Sequence, residues 1–239
     1  MKILTNSTLL FLQFGLLFFL FSNCHSKNNG LNPSEIEPIS YLALGDSYTI
    51  GTGIDVEENW PMQLSDLLKD NNLTVRNTKI IAANGWTTTD LKKGIQDENP
   101  DSSYNMVSLL VGVNNQYQGL DIELYKTEFR ELLEQSIAFA NGDTGKVFVV
   151  SIPNYGVTPF GKLRDAEKVT REIASYNEIA KNISAEYGIP FVNITPISEM
   201  AEDDRDLLAS DDLHPSAKMY GMWVKEIMPT VTQLLQNHE

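Results

Sequence analysis

Apolar residues along the chain fall into two alternating patterns. The first is a set of short runs: Ile39 with Tyr41 to Leu44, Met106 to Val111, Lys146 to Ile152 and Ile189 to Ile194, with Val75 to Ala83 as a more mixed member. Runs of this kind, ending near Gly, Asn or Pro, predict strands buried on both faces. Between them, apolar positions recur every three or four residues. Trp60, Leu64, Leu67 and Leu68 mark one such segment, with Pro61 suited to a first helical turn. Others start near Asp90, run from Leu120 to Ala140 before Asn141-Gly142, from Asp165 to Tyr187 before Gly188, and from Ala217 to Leu235. Strands alternating with helices at this spacing predict an α/β domain, a parallel sheet covered on both faces and joined by right-handed crossovers. Residues 39–239 read as one domain, with no internal repeat or linker.

The N-terminal residues break both patterns. Lys2 precedes an apolar segment, Leu9 to Phe21, interrupted only by Gln13 and Gly15. It is short for a membrane span and has the make-up of an export-signal core. The sole cysteine, Cys24, follows closely. That order resembles a bacterial lipoprotein signal, which implies an export signal over residues 1–23, lipid attachment at Cys24 and a place in the cell envelope. Residues 24–38 are polar, with Gly and two prolines, and read as a tether.

Charge narrows the partners. Lys and Arg number 18 against 32 Asp and Glu, a net charge of −14. Such a surface repels phosphate backbones and anionic headgroups, so nucleic acid is not an expected partner and a lipid anchor is the expected membrane link. A single cysteine excludes an intramolecular disulfide and a cysteine-based metal cluster.

Candidate chemistry collects at the strand ends. Gly45-Asp46-Ser47 closes the first strand, Asn84-Gly85 the second, and Gly112-Val113-Asn114 the third. In open α/β sheets ligands bind beyond the carboxyl ends of the strands, so these should share one rim. Gly85 offers a backbone N–H with no Cβ in the way, and Asn114 a side-chain amide donor. With the Ser47 N–H they form a candidate oxyanion hole, donors aimed at charge developing on a carbonyl oxygen. Of three histidines, His25 lies in the tether and His238 at the C-terminal tail, leaving His214 as the one in the body. Asp211, three residues before it, could hold one imidazole nitrogen while the other faces Ser47.

These residues resemble the SGNH (GDSL-type) hydrolases over Ile39 to about Gln236. Gly45-Asp46-Ser47 is similar to the family's first block, with the nucleophile at Ser47. Gly85 matches the second, Gly112 and Asn114 the third, and Asp211 with His214 the last. Where the third block often continues with Asp, this chain has Asn115, a difference that bears on loop bonding. The resemblance implies a three-layer α/β/α flavodoxin-like fold with a five-stranded parallel sheet. It also implies hydrolysis of carboxylic esters or thioesters by a Ser47-His214-Asp211 triad through an acyl-enzyme, with no cofactor or metal. Gly-x-Ser-x-Gly is absent around Ser47, which argues against the α/β-hydrolase alternative.

Two other classes are weighed against this one. A flavodoxin-like binding domain could cradle a phosphate with Ser47-Tyr48-Thr49, but leaves His214, Asp211 and Asn114 without a task. Glu202, Asp203, Asp204, Asp206, Asp211 and Asp212 could be a cation site, but their spacing fits no ordered calcium loop, and solvated charge accounts for them. Tyr48, Trp86, Tyr117, Tyr155 and Phe160 fall in rim loops and are candidates for the wall of an acyl pocket. Lysophospholipids and short-acyl esters are the favoured substrates, with O-acetylated carbohydrate as the alternative.

Overall fold

The computed structural model describes residues 38–236. Residues 1–37, which hold the export segment, Cys24 and nearly all of the tether, lie outside the described residues, as do 237–239. The described part begins in β1 (Ile39–Gly45) and continues through β2 (Val75–Ala82), β3 (Met106–Leu110), β4 (Val147–Val150) and β5 (Phe191–Val192). These form one parallel sheet in the order β2-β1-β3-β4-β5. That is the flavodoxin-like doubly wound order. Every residue of the three inner strands β1, β3 and β4 is buried, which is why they read as unbroken apolar runs. Edge strand β2 exposes Arg76 and Asn77 and half-buries Lys79, a charged rim that discourages pairing with another chain.

Helices cover both faces. α2 (Trp60–Asp70) and α9 (Ala217–Gln236) pack together on one side, while α3 (Thr88–Glu98), α5 (Ile122–Phe139) and α7 (Ala166–Glu186) form the other layer. Local chemistry fixes their starts. Asn59 caps α2 by accepting the Met62 N–H at 3.0 Å, and Thr87 with Asp90 forms a capping box on α3. Each helix turns its apolar stripe inward: Trp60, Leu64 and Leu68 of α2 are fully buried.

Two strands are shorter than the apolar runs suggest, for a visible reason. β4 stops at Val150 because the Asn177 amide takes over, accepting the Ile152 N–H at 2.8 Å and donating to the Ile152 carbonyl at 2.9 Å. β5 shrinks to two residues because Ile189 N–H closes α7 on Ser184 O, Pro190 has no N–H, and Ser151 Oγ accepts the Ile194 and Thr195 N–H groups. Short helices fill stretches that read as loops, α1 (Ser47–Ile50), α4 (Val113–Tyr117) and α6 (Pro159–Lys162), and a further one, α8 (Thr195–Glu199), follows β5.

Candidate active site

The chain leaves β1 toward β2 on one side and reaches β3 on the other, so the crevice where strand order reverses lies beyond the ends of β1 and β3. Ser47 follows β1 directly and Asn114 follows β3, which puts both at that crevice. Ser47, Gly85, Asn114 and His214 line one cavity of about 190 Å³ together with Tyr48, Val113 and Leu213. Four of the residues singled out in the sequence thus meet there. Asp211 stands behind His214, and Cys24 lies outside the described residues.

Ser47 is the first residue of α1, so its N–H has no acceptor within the helix. Asp46 caps that turn, its Oδ1 accepting the Tyr48 N–H at 3.0 Å, while its Oδ2 is buried with no partner among the described residues. Burial pushes the Asp46 carboxyl up to about 7, and the Tyr48 N–H bond, with the nearby Gly112 and Asp46 N–H dipoles, offsets only part of this. The folded chain therefore binds a proton that the unfolded chain has released between about pH 4 and pH 7. This group's contribution to stability falls as pH rises through that window and is flat above it. Asp46→Asn keeps an oxygen for the cap and removes the titration. Urea denaturation near pH 5 and near pH 8 should show the wild type losing stability between the two, and the variant losing less, by about 3 kcal/mol at most. Parallel losses would mean that Asp46 does not titrate as a buried group.

The donor side is built from β2 and β3. Gly85 has φ +78°, a left-handed conformation that favours glycine, with open space where a Cβ would stand. Gly112, at φ +134°, turns the chain into α4, and a Cβ there would meet Tyr125 Cε2 at 2.5 Å. The Asn114 amide donates one N–H to the Trp86 carbonyl at 2.9 Å, which leaves its second N–H for a ligand. Asn115 turns the other way, is fully buried, and ties α4 to the start of α3: its Oδ1 accepts the Thr88 N–H at 3.0 Å and its Nδ2 donates to Thr88 Oγ1 at 2.7 Å. Thr88 Oγ1 in turn donates to the buried Glu128 carboxylate. Its hydroxyl proton is thus already committed, so residue 115 must be a donor here. That accounts for an amide where the family often has a carboxylate.

One carboxylate organises the last loop. Asp211 Oδ1 accepts the N–H groups of Leu213 at 3.0 Å and His214 at 2.9 Å, and Oδ2 faces His214 Nδ1 at 2.6 Å. The loop closes through Ala209 N–H to His214 O at 2.7 Å, and Asp212 takes φ +61°, a region that Asp tolerates better than most side chains. A carboxylate only accepts, so Nδ1 carries the hydrogen, and in the neutral ring Nε2 keeps its lone pair. Burial raises the Asp211 carboxyl, but the His214 side chain and the two backbone donors outweigh it and hold the group below the usual range.

Tyr117, Tyr155 and Phe160 wall the cavity with Tyr48. Tyr117 stacks on Phe160 with ring centroids 6.1 Å apart and meets Tyr155 edge-on at 6.2 Å. Trp86 departs from expectation. Its indole covers Gly94 of α3, where an added Cβ would meet Trp86 Cη2 at 2.2 Å, and only its carbonyl serves the site. Asn84, read in the sequence as a turn former, lines the cavity and accepts a hydrogen bond from Thr52 Oγ1. In the acidic loop Asp204 pairs with Lys218, Asp212 with Arg205 and Asp211 with His214. Among the described residues no group of three or more His, Cys, Asp or Glu is placed to hold a metal.

A model of the GDSL-like lipase/acylhydrolase family matches residues 43–222. Among solved structures, TesA is 16% identical with a TM-score of 0.62, covering 82% of this chain and 99% of its own. A psychrotrophic esterase, EstA from Pseudoalteromonas sp., inhibited there by monoethylphosphonate, is 20% identical with a TM-score of 0.60, covering 83% and 100%. Axe2, an acetylxylan esterase from Geobacillus stearothermophilus, is 18% identical with a TM-score of 0.61, covering 81% and 94%. At these identities the likeness is one of fold. No curated protein sequence matches the chain.

Proposed function

Because the chain belongs to the GDSL-like lipase/acylhydrolase family and is an ester hydrolase, we propose that Ser47, His214 and Asp211 act as its catalytic triad. The observation that carries this is the imidazole: Nδ1 is held by Asp211, and the ring lines the same cavity as Ser47. His214 Nε2 takes the Ser47 hydroxyl proton as the oxygen attacks the ester carbonyl, and Asp211 stabilises the imidazolium that forms. The oxyanion is received by the Ser47 and Gly85 N–H groups and the Asn114 amide. When the tetrahedral intermediate collapses, the ester C–O bond breaks and His214 gives its proton to the departing alcohol. Water then repeats the sequence, releasing the acid and returning the proton to Ser47.

The cavity's size and aromatic wall favour a short acyl group or one lysophospholipid chain end. Tyr117 is 39% exposed at the rim, with the Arg164 guanidinium 4.1 Å from its ring centroid, and this polar, open edge keeps O-acetylated carbohydrate as the second reading, in line with what Axe2 is described as cleaving. Export with lipid attachment at Cys24 would place this activity in the cell envelope. A panel of esters graded by acyl length, run beside acetylated xylan, tests the substrate class. Fluorophosphonate labelling with peptide mapping tests the nucleophile, with the label expected at Ser47.

Asn114→Ala should lower kcat about 10²- to 10³-fold with KM little changed, since the lost donor serves the transition state. The same variant loses the bond to Trp86 O, at a cost of about 1 kcal/mol in stability. A rise in KM at constant kcat would assign Asn114 to ground-state binding.

A further inference from the structure

The motif that names this family reads Gly-Asp-Ser-Leu, and this chain reads Gly45-Asp46-Ser47-Tyr48. The replaced letter faces the catalytic base. The Tyr48 ring lies 5.3 Å from the His214 imidazole, centroid to centroid, at an interplanar angle of 54°. We propose that Tyr48 is a positioning residue for the hydrolysis, its ring holding the His214 imidazole toward Ser47 and stabilising the imidazolium as it forms. This rests on the triad reading given above.

Tyr48 is a fixed surface. Its N–H is held by Asp46 Oδ1 at 3.0 Å and its carbonyl by the Tyr220 hydroxyl at 3.0 Å. Its ring leans on Trp223 at 6.4 Å, and Trp223 meets Tyr220 edge-on at 5.0 Å. His214 needs such a surface. Among the described residues its imidazole has one hydrogen bond, to Asp211, and one bond leaves a planar ring free to tilt about the line joining the two atoms. Tyr48 restricts that tilt from the side. Because Tyr48 follows Ser47 in the same helical turn, nucleophile and brace form one rigid unit, and the base is referenced to the nucleophile it serves.

The ring also has an electronic part. The separation of 5.3 Å falls within the roughly 6 Å at which a cation over the face of an aromatic ring is attracted to it. The base is neutral before the reaction and charged in the transition state, so this attraction is gained only there and raises kcat more than it tightens binding. A leucine at this position offers neither a flat surface nor a quadrupole. The titratable groups facing Tyr48 are Asp46, Asp211, Tyr155 and Tyr220 together with His214, so the same variants must be followed across pH.

The test uses the full chain with Tyr48→Leu and Tyr48→Phe, a small activated ester as substrate, and a fluorophosphonate label in parallel. Tyr48→Leu should lower kcat about tenfold with KM held, and should move the acid limb of kcat/KM to lower pH, because the imidazolium has lost its stabilising ring. Tyr48→Phe should recover most of the rate and restore the limb. If Tyr48→Leu does not fold, Tyr48→Met carries the same comparison. A Leu or Met variant that lowers Tm but keeps kcat and the pH profile would reduce Tyr48 to packing and overturn the proposal. A Phe variant as slow as Leu would overturn it too, since the hydroxyl and not the ring would be at work. A wild type that takes no label at Ser47 removes the triad, and the proposal with it. A labelled wild type with unaffected Tyr48 variants removes the proposal alone.

Discussion

Ser47→Ala and His214→Ala should each lower kcat about 10⁶-fold, and the double variant should be barely slower than either single one. A nucleophile without its base and a base without its nucleophile are equally idle, so the second removal takes away nothing that still works. What survives is the contribution of the oxyanion donors and of substrate binding, about 10³- to 10⁴-fold over water. Neither substitution removes packing that the fold depends on. Ser47 sits at the start of a helical turn capped by Asp46, and the His214 loop keeps its closure through backbone bonds at Ala209 and the Asp211 carboxylate. Far-UV spectra and Tm should therefore stay near wild type, which separates lost chemistry from lost structure. Fluorophosphonate labelling should vanish in Ser47→Ala and slow sharply in His214→Ala. Losses that multiply in the double variant would mean that the two residues work independently, and the triad would have to be given up.

The sheet is legible in the sequence because its inner strands are buried on both faces, so that Leu42, Ala43 and Leu44, or Leu109 and Leu110, stand in unbroken runs. The rim is legible because a parallel sheet sends every strand's carboxyl end to one side. Gly45-Asp46-Ser47, Gly85 and Gly112-Val113-Asn114 had to converge once the strands were parallel. Strand ends are less legible, since side chains from distant helices end them. Nothing near Ile152 announces that Asn177 will take both its backbone groups, or that Ser151 will replace the ladder at Ile194. Side-chain direction is the other blind spot. Trp86 follows Gly85 and looks like a rim residue, yet its indole fills the space over Gly94 and its carbonyl holds Asn114. Tyr48 reads as one aromatic among five in the rim loops, and its bearing on His214 emerges only when the Asp211 loop folds back across the sheet.

Asp211→Asn should cost about 10⁴-fold in kcat, less than either partner because the base is still present. The reason is the tautomer. Asn can still accept the Leu213 and His214 N–H groups on its oxygen, so the turn is kept. Its amide nitrogen then faces Nδ1 and donates to it, which moves the imidazole hydrogen to Nε2. The nitrogen that should take the Ser47 proton already carries one. KM should change little, because Asp211 stands behind His214 and does not line the cavity. Stability gives an independent check. The folded pKa of Asp211 is depressed, so its stabilising contribution is complete above the ordinary value of 3.8 and is lost as pH falls through the lower folded value. The Asn variant lacks that loss, and its acid-unfolding curve should be flatter than wild type below about pH 4. If Asp211→Asn hydrolyses esters at near the wild-type rate while retaining the fold, His214 is oriented by something else, and the carboxylate serves only to shape the loop.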